Sequence, residues 1–303
     1  MHNFPTELSE AEINKIRDEF QTKTVRVTSP GLEEMLYKPI PILDHGFIRV
    51  IDYMGTDASI VQAARVSYGA GTKKIQEDRG LINYLMRHHH TTPFEMCEIK
   101  LHVKMPIFVA RQWVRHRTAS LNEYSARYSV LSKEFYIPEI SQFTTQSEVN
   151  KQGKSAEELS ESHSEEIIGI LKQSCTDAYE KYSHMLEDLS LTRELARIVL
   201  PLNAYTEIYW KIDLHNLMNF LKLRTDPHAQ YEIRCYADAI MKILEKWLPL
   251  THEAFLNYRK EAISLPKGNI ELIKRMLRGE TITPEESGLS RGEWQEFWSI
   301  FKE

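Results

Sequence analysis

Apolar and polar residues alternate strictly from Met96 to Met105. Cys97, Ile99, Leu101, Val103 and Met105 interleave with Glu98, Lys100, His102 and Lys104, which predicts a half-buried strand. Pro106 then suits the first turn of a helix running to Arg115. A second alternation over Tyr205–Ile212 sets Thr206, Ile208, Trp210 and Ile212 against Tyr205, Glu207, Tyr209 and Lys211. Asp213 is placed to cap a helix from Leu214 to about Leu223. Asp226–Pro227 is expected to start the next helix, whose stripe is Ile233, Tyr236/Ala237, Ile240, Leu244 and Trp247.

Other elements follow from the same patterning. Ser9–Phe20, Ala58–Tyr68 and Arg79–His90 have helical spacing, with Ile82, Leu85 and Met86 sharing a face. Ser29-Pro30-Gly31 is expected to be a loop and Pro39–Pro41 an extended segment. Residues 145–165 are polar and predict a surface insertion leading into a helix toward Leu189. Ser290-x-x-Glu293 is a capping box ahead of Trp294, Phe297, Trp298 and Phe301. Strands mixed with helices, without regular βαβ alternation, predict an α+β architecture: a mixed or antiparallel sheet flanked by helices. The expected division is a peripheral segment over 1–40, a main domain over 41–260 and a helical extension over 261–303.

Composition narrows the function classes. The 38 Lys and Arg against 43 Asp and Glu leave a net charge of −5, with no general drive toward nucleic acid or anionic membrane. An anion site must therefore be a local cluster of cations. The three cysteines, Cys97, Cys175 and Cys235, are far apart and lack a C-x-x-C spacing, which fits a reducing cytosol. No apolar run resembles a signal peptide or a membrane span, so the expectation is a soluble, cytoplasmic protein.

The densest polar stretch runs from Arg111 to Tyr128 and holds Arg111, Arg115, Arg117 and Arg127. Arg111 and Arg115 would share a helix face. Arg115-His116-Arg117 cannot all share it, so the helix should end there. Ser125 and Arg127, two apart, are spaced as on one face of a strand. Arginine forks beside hydroxyl and amide donors are what a phosphate site requires. The bland alternative is a solvated basic loop. His88-His89-His90 invites a metal, but consecutive helical residues point about 100° apart and no carboxylate joins them, so no metal is expected. Ser125 has no neighbouring base to make it a nucleophile.

Arg115-His116-Arg117, seven residues and then Ser125 resembles the signature of the flavin-dependent thymidylate synthases. Three further blocks resemble the family in the same order: His90-Thr91-Thr92-Pro93-Phe94-Glu95, Ala196-Arg197-Ile198-Val199-Leu200-Pro201, and Leu217-Met218-Asn219-Phe220 through Leu223-Arg224-x-Asp226-x-His228-Ala229-Gln230. Together they span roughly residues 45–250. The resemblance implies the thymidylate synthase-complementing fold, a homotetramer with shared active sites, and methylation of dUMP to dTMP in de novo dTTP biosynthesis. It implies FAD as cofactor, NADPH as reductant and 5,10-methylenetetrahydrofolate as cosubstrate.

It also implies roles. Gln112, Arg115, Glu123, Ser125, Arg127 and Arg197 would hold dUMP, the arginines mainly through its phosphate. Arg224 would lie on the uracil and stabilise charge developing there, the catalytic role. His90, Thr92, Arg115, His116, Arg117, Glu123 and Asn219 would contact FAD. Asp213-x-His215 stands where the family often has Asn-x-Arg, and flavin contacts are carried onto both residues. The chain has no G-x-G-x-x-G, so FAD would bind without a Rossmann domain. The rival reading is a non-catalytic nucleotide- or RNA-binding module built on the 111–127 arginines.

Overall fold

The structure is a computed structural model that describes residues 9–19, 25–66, 75–146 and 154–301. The chain divides into two units between Arg259 and Lys260.

In the first unit, α1 (Glu10–Glu19) and the short α2 (Pro30–Glu33) precede β1 (Ile40–Ile42) and β2 (Gly46–Met54). The expected loop at Ser29-Pro30-Gly31 is instead the start of α2, with Pro30 in its first turn, where a missing N–H costs nothing. Then come α3 (Asp57–Arg65), α4 (Ile75–Arg87), α5 (Thr92–Glu95), β3 (Glu98–Pro106), α6 (Ile107–Trp113) and β4 (Ser120–Glu123). The helix expected over Ala58–Tyr68 ends at Arg65, and Tyr68 lies outside the described residues. The polar 145–165 stretch takes part in a small antiparallel pair, β5 (Thr144–Gln146) and β6 (Lys154–Glu158), before α7 (Glu161–Glu187). The unit closes with α8 (Arg193–Ala196), β7 (Tyr205–Asp213), α9 (Leu214–Arg224), α10 (Tyr231–Trp247), α11 (Pro249–Phe255) and a π-turn over Leu256–Lys260 that runs just past its boundary.

The main sheet has the order β1-β2-β3-β7-β4, and every pairing is antiparallel. Ile99 faces Ile212, Leu101 faces Trp210 and Val103 faces Ile208, so both alternating segments put their apolar rows on one side. That side meets the stripe of α10: Ile233, Tyr236, Ala237, Ile240, Leu244 and Trp247 are all buried in the same cluster. Asp213 caps α9 as its position predicts, accepting the Asn216 N–H at 3.0 Å. α10 begins at Tyr231, not at Asp226–Pro227. There the Asp226 carboxylate turns onto the His228 N–H at 2.8 Å, a local turn that replaces a helical start.

The polar row of β3 is not solvated throughout. His102 and Lys104 are buried, because neighbouring strands and the loop at Glu134 supply partners. Arg49 Nε of β2 donates to His102 Nδ1 at 3.0 Å, and His102 Nε2 reaches Glu207 of β7 at 2.7 Å. Tyr209 stacks on the imidazole at 4.7 Å, and Lys104 pairs with Glu134 at 2.8 Å. Both buried polar groups of the row are thus satisfied, His102 across strands and Lys104 by a loop carboxylate.

The second unit contains α12 (Lys267–Leu277) and α13 (Arg291–Ser299). The capping box of Ser290 and Glu293 forms at the start of α13, and Phe297 is buried with Leu272 and Ile282. Among the described residues no helix is long and apolar enough to cross a membrane.

Candidate active site

The basic stretch folds in three pieces. α6 is anchored by Val109, Ala110 and Trp113, all buried, so Gln112 is left on the half-buried flank. The helix ends before Arg115, and the next three side chains separate. Arg115 and Arg117 are exposed and have no carboxylate partner among the described residues, whereas His116 turns inward. Its ring packs edge-on against Phe220 at 4.8 Å, and Phe220 packs on Trp113 at 4.7 Å.

Arg224, at the last position of α9, meets His116 there. Arg224 Nε donates to His116 Nε2 at 3.0 Å. A guanidinium can only donate, so this imidazole nitrogen must carry a lone pair. Burial first, and the Arg224 charge second, push the His116 pKa from its ordinary 6.5 down to about 4. The histidine is therefore neutral at physiological pH and holds the arginine without cancelling its charge. Burial also lowers the Arg224 pKa, the mark of a cation kept partly out of water. At the next turn Gln112 Nε2 donates to the side-chain oxygen of Gln230, joining α6 to the residue that precedes α10.

A second group forms on the far side of β4. Glu123, at the end of that strand, accepts from Thr206 Oγ1 at 2.8 Å. Ser125 and Arg127 do not continue the strand. The N–H groups of Tyr128 and Ser129 both bond to the Ser125 carbonyl, at 3.1 and 3.0 Å, and close a turn. Spacing by two suggested a strand face, but Ser125 satisfies its neighbours' backbone locally: its hydroxyl accepts the Arg127 N–H at 3.3 Å. The turn leans on α8. Arg127 Nη2 pairs with Glu194 at 3.2 Å, Arg197 Nε donates to the Glu194 carbonyl at 3.2 Å, and Arg193 Nη1 donates to the Tyr128 carbonyl at 2.6 Å. Arg127 and Arg197 are thus brought together around Glu194, in the open. Arg193 and Glu194 were not foreseen. The only signal for them is the spacing Arg193-x-x-x-Arg197, one helical turn.

The third group borders α9. The histidine run does not lie on a helix. The His89 N–H bonds to the Met86 carbonyl at 3.3 Å and the His90 N–H to the Leu85 carbonyl at 2.9 Å, which is the double bond of a Schellman cap. His89 occupies its left-handed position at φ 60°, where glycine is usual. His90 is exposed just past the cap and Thr92 is exposed in α5, which packs against α9. His215 and Asn219 share the face of α9 one turn apart, the first half-buried and the second exposed. The Asp213 carboxylate is engaged with the helix start, holding Asn216 Nδ2 at 2.7 Å as well as its N–H. Among the described residues no group of three or more His, Cys, Asp or Glu is placed to hold a metal ion.

No thiol is poised at these groups. Burial pushes the Cys97 pKa to about 12, and its sulfur fills the space a side chain on Gly55 would need. Cys175 is buried against Asn203, and burial raises the Cys235 pKa.

Comparison with known proteins places the chain in a family. The family described as Thymidylate synthase complementing protein matches residues 49–250. The flavin-dependent thymidylate synthase of Rickettsia prowazekii is 55% identical over 92% of this chain and 99% of its own length. That of Gluconobacter oxydans is 55% identical over 96% of each. Among solved structures, the UMP/dUMP methylase PolB of Streptomyces cacaoi, bound with 5-Br dUMP, aligns with a TM-score of 0.65 at 33% identity, covering 73% of this chain and 99% of that one.

Proposed function

Because this chain belongs to the family of flavin-dependent thymidylate synthases, we propose that its three polar groups divide the work of one reaction, the reductive methylation of dUMP to dTMP. The net change consumes dUMP, 5,10-methylenetetrahydrofolate, NADPH and a proton, and releases dTMP, tetrahydrofolate and NADP⁺. The enzyme acts as a cytoplasmic homotetramer whose sites are completed between subunits.

The single observation that carries this division is the Arg224–His116 pair. Methylation needs electron density to build on a weakly electrophilic pyrimidine. A fixed, partly desolvated cation whose neighbour is neutral answers that need, because its charge is free for the ring. Phe220, itself packed on Trp113, holds the His116 ring, so the guanidinium is aimed before substrate arrives. Gln112 and Ser125 supply amide and hydroxyl donors for the nucleotide. Arg127 and Arg197 receive its phosphate, with Glu194 giving up Arg127 as the phosphate takes its place.

The donors present also suit FAD. Arg115 and Arg117 have no carboxylate partner among the described residues and offer free guanidinium donors to the cofactor. His90, Thr92, His116, Glu123, His215 and Asn219 offer polar contacts for the rest of the molecule, and Asp213 contributes through its backbone. When bound, the reduced flavin would supply the electron pair that reduces the transferred one-carbon unit to a methyl group. The raised thiol pKa values fit a site that does without a thiolate. The test is anaerobic incubation of the flavin-loaded protein with dUMP, methylenetetrahydrofolate and NADPH, with dTMP as the expected product. A colourless protein that makes no dTMP and binds RNA with a steep salt dependence would favour the binding-module reading.

A further inference from the structure

Beside the third group lies a cluster of cations that the division above does not use. Arg259 sits in the π-turn Leu256–Lys260, and its guanidinium lies against the His89 ring. His89 is itself held in a left-handed conformation at φ 60°. Such a conformation is unfavourable for a residue with a side chain, and π-turns recur at functional sites. Two unfavourable local geometries therefore meet at one contact.

Lys222 completes the cluster. It lies three residues beyond Asn219, on the same face of α9, and is exposed. The charge of Arg259 first, then burial, then the charge of Lys222 drive the His89 pKa down. None of the three side chains has a carboxylate partner among the described residues. In a chain of net charge −5, like charges gathered without a counter-ion are a standing cost. An anion placed among them would relieve it. The cluster adjoins the third group along the chain: His89 immediately precedes His90, whose ring lies 5.7 Å from that of Tyr84.

We propose that Lys222, His89 and Arg259 form an oxyanion-binding subsite for one of the reaction's own polyanionic partners: the diphosphate of FAD or NADPH, or the carboxylates of the folate tail. The inference rests on the synthase reading for the identity of that partner, and on the cluster alone for the class of ligand. The planar fork of Arg259 takes two oxygens, while Lys222 adds a point charge.

The test is equilibrium binding to the full-length protein, which needs no turnover. FAD, NADP⁺ and tetrahydrofolate pentaglutamate are titrated into wild type and a Lys222→Gln/Arg259→Gln variant, each with and without inorganic pyrophosphate. One of the three ligands should bind at least tenfold more weakly to the variant. Pyrophosphate should weaken that same ligand in wild type and not in the variant. Loss of FAD, of NADP⁺ or of the pentaglutamate alone identifies the source. Arg259→Lys, which keeps the charge, should recover part of the affinity and excludes simple misfolding. Equal affinities for all three ligands in both proteins, or equal competition by pyrophosphate, overturn the subsite. Absence of dTMP formation by wild type would sink the synthase reading and leave the pyrophosphate result standing.

Discussion

Arg224 and Arg127 carry the same charge on the same kind of fork, but their surroundings set them to different tasks. Arg224 is half-buried and its partner is a neutral imidazole. Arg127 is exposed and its partner is the carboxylate of Glu194. The first charge is already partly desolvated and uncancelled, so an anion forming beside it feels most of its field. The second is neutralised in the free protein and bathed in solvent. A ligand there exchanges one anion for another, and its gain is modest and salt-sensitive. Burial and partner together, more than residue type, distinguish a cation that can act on chemistry from one that only binds.

The comparison breaks most visibly through Arg224. Arg224→Ala should leave FAD bound but lower kcat by ~100-fold or more, the scale of losing one preorganised electrostatic donor. Single-turnover kinetics at saturating dUMP and folate read this directly. A variant with near wild-type kcat and only a raised KM would place Arg224 with the binding arginines.

Arg197→Lys tests the opposite pole. Lysine keeps the charge and loses the fork, so KM for dUMP should rise by about tenfold while kcat changes less. An equal fall in kcat would give Arg197 a share in the chemical step. Ionic strength sharpens the contrast without mutation. Raising salt from about 50 to about 300 mM shortens the Debye length, so KM for dUMP should increase a few-fold with kcat nearly constant. A salt-independent KM would mean that the phosphate is held in a far drier place than the exposed turn at Ser125–Tyr128.

The smallest effect is the most specific. His116 has its pKa lowered to about 4 mainly by burial and secondarily by Arg224. Arg224→Gln removes only the second cause, so the His116 pKa should rise but stay below 6.5, as read from its ring resonances in an NMR titration. The same shift has a consequence for stability. Because the folded protein resists this proton, the unfolded chain binds more protons between pH 6.5 and 4. The His116 contribution is therefore complete above about pH 6.5 and is lost as pH falls toward 4. A His116 that titrates at its ordinary value in the wild type would dismiss the neutral-partner argument.

Much of the scaffold was legible before any coordinates. The alternation at Cys97–Met105 and Tyr205–Ile212 named the two central strands and the face each buries. The Asp213 cap, the α10 stripe and the Ser290–Glu293 box all formed where they were placed. These features depend on neighbours within one or two turns, and sequence spacing encodes such neighbours. The polar side of β3 was misjudged because the partners that bury His102 and Lys104 come from Arg49, Glu207 and Glu134, distant along the chain. Ser125–Arg127 and Asp226–Pro227 were misjudged because side chains there compete with regular pairing for the same backbone groups.

The sequence by itself determined which residue types gather in each block, where the strands and helices run, and, through the resemblance of four blocks, the reaction class. Only the tertiary structure decided which arginine is dry and which is wet, that His116 faces Arg224 as a neutral partner, and that His89 leaves its helix to meet Arg259. The physical reason is locality. Periodicity and capping follow from bonds between near neighbours, whereas desolvation and charge pairing are set by whatever the fold brings from elsewhere in the chain.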